Sequence, residues 1–180
     1  AIAAVTCEST ISGDTKASDA TTNLAEYPCL DGFHTGPELA YSFTVDEPTW
    51  VAAELQNESD QTDLMVVRGV EGQCFASQCV TGDHKDVFWL ALPGEPYFFV
   101  VDGLDGDTGT FDLALICETC SPNCSGKVCG DDGCGGSCGD CAAGLVCTAE
   151  GETCIEPAVG DFCDTAIEVD ALPFTHNGSN

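Results

Sequence analysis

Cysteine and aspartate carry most of the chemistry available to this 180-residue sequence, and their spacing raises two metal-binding readings at once. Cys117-x2-Cys120 and Cys138-x2-Cys141 have the knuckle spacing of zinc and iron–sulfur ligands. Five further cysteines, Cys124, Cys129, Cys134, Cys147 and Cys154, crowd the same stretch, and Cys7, Cys29, Cys74, Cys79 and Cys163 complete a set of 14. An even, dense set in a chain with one Met and three His reads as disulfides made in an oxidising, extracellular compartment rather than as metal thiolates. Redox catalysis by a CxxC pair needs a helix N-terminus or a cation to favour the thiolate. Neither Cys117 nor Cys138 is followed by a helical pattern, and Asp140 disfavours a thiolate beside it.

Calcium is the cofactor with the better support. Hard cations take several oxygens converging from a flexible loop, and residues 102–109, DGLDGDTG, offer Asp102, Asp105 and Asp107 among glycines. Asp60 with Asp63, and Asp83 with Asp86, form two more acidic clusters ahead of strands, though none follows the EF-hand pattern. The bland alternative is acidic turns that keep a secreted protein soluble. His34, His84 and His176 stand near no GxSxG serine and no HExxH helix, so the reading is non-enzymatic. Trp50 and Trp89 would stack on an extracellular polysaccharide or protein matrix if they faced outward, and period two sends Phe88 and Trp89 to opposite faces. Sequons stand at Asn57, Asn123 and Asn177.

These residues need a framework, and charge limits what that framework meets. With 31 Asp and Glu against 4 Lys and Arg the net charge is −27, which repels nucleic acid and anionic lipid. The longest apolar run, VFWLAL at 87–92, is six residues, far short of the roughly 20 that insert across a bilayer. The N-terminal AIAAV carries no basic start of a secretion signal, so a mature or excised segment is expected.

All 14 aromatic residues avoid 117–161, which nevertheless holds nine cysteines, so cross-links there must replace a core. Three parts are expected: a β-sandwich at 1–116, a disulfide-rich module with little regular structure at 117–162, and an opening strand at 163–180. In the first, Leu39, Tyr41, Phe43 and Val45 alternate with polar or small residues and predict a half-buried strand. Further strands are expected at 49–55, 63–68, 86–92, 97–102 and 110–116, separated by turn-forming clusters. An all-β, antiparallel sandwich follows.

The run Tyr97-Phe98-Phe99-Val100-Val101-Asp102-Gly103, followed by Gly106, Gly109, Phe111 and Leu113, resembles the closing hairpin of bacterial pre-peptidase C-terminal domains. Residues 36–43, GPELAYSF, and Asp63-Leu64 fall where that family places its early strand and its aspartate-leucine strand. The resemblance covers about residues 1–117. It implies a jelly-roll-like sandwich on a secreted bacterial protein, an accessory module and in some members a calcium binder. Residues 120–141, CSPNCSGKVCGDDGCGGSCGDC, are similar to a cysteine-rich repeat found beside such domains in large secreted bacterial proteins.

A final pattern concerns assembly. Residues 166–180 laid on residues 1–15 match at four positions in fifteen, a repeat of 165 residues in which 166–180 begins another copy. A strand with Ile167, Val169, Ala171 and Phe174 on its apolar positions wants a partner, supplied by a tandem module or by another copy through strand addition. Copies joined head to tail would form a filament, while a tail folded back on its own sandwich is the alternative. Cys7 with Cys29 and Cys74 with Cys79 are expected as local pairs, and Cys163 with Cys117 of the next module. The eight cysteines from Cys120 to Cys154 would then close a separate module, their connectivity left open by spacing alone. The sequence favours a non-enzymatic extracellular structural subunit of this kind; the rival is a substrate- or matrix-binding accessory domain of a secreted hydrolase.

Overall fold

The computed structural model describes residues 3–17, 20–22, 24–58, 62–70 and 73–158. Asp60, Cys163 and the expected assembly strand with Ile167, Val169, Ala171 and Phe174 lie outside them. The chain divides into two units, Ala1–Ser121 and Pro122–Asn180. Strand structure accounts for every regular element among the described residues, as the alternating patterns and turn clusters require. No helix there is long and apolar enough to cross a membrane.

The first unit is a two-sheet sandwich. Strands β1 (Ala3–Ala4), β3 (Leu39–Phe43), β8 (Tyr97–Gly103), β5 (Thr62–Val70) and β6 (Gln73–Asp83) form one sheet in that spatial order. Strands β2 (Thr10–Asp14), β9 (Thr110–Thr119), β4 (Thr49–Gln56) and β7 (Asp86–Ala91) form the other. Pairing is antiparallel except between β1 and β3. Leu39, Tyr41, Phe43 and Val45 share the inner face, as their alternation predicts. Trp89 fills the centre, with Phe43, Tyr97 and Phe99 meeting its ring at steep angles. Each large apolar side chain fully buried there contributes roughly 1.5–3 kcal/mol.

Strands β5 and β8 are buried on both faces, because the described residues of 15–37 cross the outer side of the five-stranded sheet as a strap. Tyr27, Leu24 and Leu30 of the strap cover Met65, Val67, Phe98 and Val100. The strap bends at Gly36, whose amide donates to the Gly103 carbonyl at 3.1 Å. A Cβ on Gly103 would stand 1.8 Å from the Asp107 carbonyl oxygen, so only glycine allows the 103–109 turn to fold back this closely.

Two cysteine pairings differ from the expected local ones. Cys7 bonds Cys117, with Cα atoms 5.5 Å apart, because β2 runs antiparallel beside β9 and brings the residue just before β2 against the far end of β9. Cys29, on the strap, bonds Cys79 on β6, with Cα atoms 5.7 Å apart. Cys74 and Cys79 both lie on the continuous strand β6, where five residues span roughly 16 Å, beyond disulfide reach. Cys74 is therefore a free thiol rather than half of a local bridge. Cys117, expected to join a following module, is already bonded within its own sandwich.

Among its described residues the second unit contains one short hairpin, β10 (Val146–Cys147) with β11 (Cys154–Ile155). Bonds Cys124–Cys138, Cys129–Cys147 and Cys141–Cys154 hold it, and its Cys134 is also in a disulfide, as is Cys120 of the first unit. Here cross-links take over the role of the apolar core, as the missing aromatics require.

Candidate functional site: a covered acidic row and an open aromatic face

Register places four ionisable residues in a row across the outer side of the five-stranded sheet. Asp63 of β5 lies opposite Asp102 of β8. Glu38 precedes β3 on one side, and His84 follows β6 on the other. Glu38, Asp63 and Asp102 are all buried. The strap binds this row. Tyr27 donates its hydroxyl to Asp102 Oδ2 at 3.0 Å, and the Thr21 hydroxyl donates to Glu38 Oε1 at 2.8 Å. His34 Nε2 and His84 Nδ1 each sit 2.7 Å from one of the two oxygens of Asp63, a His–Asp–His clamp with His34 fully buried.

Burial pushes the Asp102 carboxyl up to about 7, with the Glu38 and Asp63 charges adding to the rise and the Tyr27 hydroxyl opposing it. The Tyr27 phenol is pushed far upward, first by burial and then by Asp102, so it stays a donor. Its hydrogen bond to Asp63 raises His84 above the usual imidazole range. Both ring nitrogens that face Asp63 are committed to it, so the arrangement fastens the strap to the sheet.

Among the described residues the four-stranded sheet has no such cover. Trp50, Ala52, Glu54 and Gln56 of β4, Asp86, Phe88 and Leu90 of β7, and Ala114 and Ile116 of β9 point outward, by the alternation of their burial. Register sets Ala52 between Phe88 and Ile116, and Glu54 between Asp86 and Ala114. Trp50 stacks on Phe88 with centroids 5.0 Å apart and planes 6° from parallel. Phe88 remains 62% exposed and Ile116 65%. Between them lies a depression of about 290 Å³ lined by Ala52, Glu54, Gln56, Asp86, Phe88, Ala114 and Ile116. The Gln56 amide donates to Glu54 Oε2 at 3.0 Å and fixes that carboxylate at the rim. At the same end Asp112 accepts from Ser12 Oγ and from Asn57 Nδ2 at 2.8 Å, bonds that hold its carboxyl below the usual range.

The expected site residues scatter over this framework. Asp102 and Asp63 are spent on Tyr27, His34 and His84, while Asp105, at φ 52°, and Asp107 turn the 103–109 loop through backbone bonds to Phe33 and Leu104. Asp83 ends β6, and Asp86 begins β7. No three of the carboxylates expected as calcium ligands bring oxygens within 4.8 Å of one another among the described residues. The one set of three ligand atoms near enough to share an ion there is Cys129, Cys141 and Cys154, all in disulfides. Trp89 faces the core, and Phe88 takes the outward position beside Trp50. Phe88 and Ile116 were unmarked as binding residues, although period two already separates Phe88 from Trp89.

No family model matches the chain, and no curated protein matches it. Among solved structures it is similar to the pre-peptidase C-terminal domain of a collagenase from Bacillus anthracis, at 16% identity and TM-score 0.40, over 64% of this chain and 94% of that one. It is also similar to Aeromonas hydrophila PliG, a periplasmic inhibitor of g-type lysozyme, at 12% identity and TM-score 0.41, over 61% of this chain and 85% of that one.

Proposed function

We propose that this chain is a non-catalytic extracellular accessory module that holds a partner, matrix or substrate, on the outer face of its four-stranded sheet. The observation that carries the reading is the Trp50–Phe88 stack beside Ile116. Two large rings and an aliphatic side chain line a depression on a sheet whose opposite number is roofed by the strap. Leaving such groups in water forgoes roughly 1.5–3 kcal/mol per side chain, which a bound partner recovers. The disulfides fit secretion into an oxidising compartment. The test is co-sedimentation with cellulose, chitin and gelatin beads, comparing the wild type with Phe88→Ser. Retention by any of these that the substitution abolishes, at unchanged Tm, is the expected result. Equal retention of both proteins, or binding of neither to these matrices or to a basic peptide, overturns the reading.

A second reading, a structural subunit assembled head to tail, is favoured by the edge of β6, an 11-residue strand with β5 as its one sheet neighbour among the described residues. Its exposed Phe75 and Val80 suit strand addition by residues 163–180 of another copy, with calcium offsetting carboxylate repulsion between copies. Electron microscopy with and without chelator and reductant tests it: filaments with an axial repeat of one module support it, and dispersed monomers under every condition overturn it.

A further inference from the structure

The open face carries a charge arrangement that specifies its occupant more narrowly. Glu54 and Asp86 stand directly opposite each other on antiparallel strands, on the same exposed side. Like charges in that position destabilise a sheet by roughly 0.2–1 kcal/mol. Neither carboxylate forms an ion pair among the described residues, where the ion pairs are His34–Asp63, His84–Asp63 and Arg68–Glu95. Two opposed, unneutralised carboxylates therefore close one end of a depression whose wall is an aromatic ring.

We propose that this face receives a basic segment of a partner protein, an arginine or lysine side chain lying along Phe88 with its cationic end between Glu54 and Asp86. The proposal rests on the reading of this face as a binding site. Four features fit a cation on an aliphatic stem. Trp50 backs one side of Phe88 and holds the ring upright, leaving the other side turned to the depression. A cation over such a ring gains roughly 0.5–2 kcal/mol. Ala52 and Ala114 form a low apolar floor for the methylenes, and Gln56 holds the Glu54 carboxylate in place. The net charge of −27 draws basic partners from a distance and repels polyanions, uronate polymers included. A neutral sugar would stack on Phe88 but leave the opposed carboxylates unneutralised, so a basic protein is favoured over a polysaccharide.

The test uses the full chain and a fluorescein-labelled peptide of alternating arginine and glycine, followed by anisotropy, beside the bead assay with cellulose, chitin and gelatin. Binding is expected to weaken steeply between about 50 and about 500 mM salt. Phe88→Ser and the double variant Glu54→Gln/Asp86→Asn are each expected to weaken it about tenfold or more. Glu150→Gln/Glu152→Gln, which removes equal charge from the second unit, is expected to leave it unchanged. A matching loss in that control reduces the effect to net charge and overturns the proposal. Phe88-dependent retention on cellulose or chitin without peptide binding overturns the proposal and leaves the binding face standing. No Phe88-dependent binding to any probe overturns both.

Discussion

The two outer faces of the sandwich meet opposite fates. The strap within residues 15–37 roofs the five-stranded sheet and seals the carboxylates of Glu38, Asp63 and Asp102 beneath it, whereas the four-stranded sheet keeps stacked aromatic rings in the open. On the covered side, polar groups serve as fasteners: Tyr27 and His34 reach down from the strap to Asp102 and Asp63. On the open side the polar groups sit at the rim and the apolar ones stand exposed, an order that favours contact with another molecule. Ionisable residues are thus structural where they are buried and available where they are exposed, so a search for function among the buried ones alone would choose the wrong face.

That contrast can be broken by substitution. The largest effect is expected from Asp63→Ala, which strands the buried His34 ring and frees His84; the cost is about 3–5 kcal/mol in urea unfolding at neutral pH. Next comes the pH response of Asp102. Its folded pKa of about 7 lies above the ordinary 3.8, so the fold favours the protonated form. Its contribution is complete below about pH 4 and is lost as the pH rises to about 7. Asp102→Asn removes that dependence, and at pH 8 the variant is expected to exceed the wild type by up to about 4 kcal/mol, with little difference near pH 4. A parallel pH profile in both proteins would show that Asp102 is not sealed beneath the strap.

On the open face, Phe88→Ser is expected to cost about 1 kcal/mol or less, the worth of an exposed stacked pair, while abolishing binding. Asp86→Asn relieves the opposition to Glu54 and is expected to shift stability by about 0.5 kcal/mol or less, upward, in the same unfolding assay. A loss above about 2 kcal/mol for either would mean that this face is packed like the other one.

Part of the inner face was legible in the sequence, because alternation at 39–45 marks one buried side. Strand β6 escaped, since QCFASQCVTGD at an edge is half-exposed and has no apolar run to mark it. The strap left a signal that period two could not interpret. Continuous apolar runs in β5 and β8 mean burial on both faces, and a second cover must exist to provide it. Asp63 and Asp102 stand beside those runs and read as candidate calcium ligands or solvating acids, whereas register places them under the cover. The aromatic face was half visible: alternation separates Phe88 from Trp89, but which of the two goes inward depends on Val87 and Ala91 sharing the side of Trp89.

The Cys7–Cys117 bond gives the sandwich an unusual response to tension. It joins the segment before β2 to the last part of β9 across 110 residues of sequence, so a pull applied outside those two cysteines passes through the sulfur bridge and bypasses strands β2 to β8. The enclosed chain, roughly 380 Å when fully stretched, stays out of the load path while the bond is intact. Reduction puts that hidden length in series with the force. The sandwich is therefore an inextensible link in an oxidising medium and a long, yielding tether once reduced.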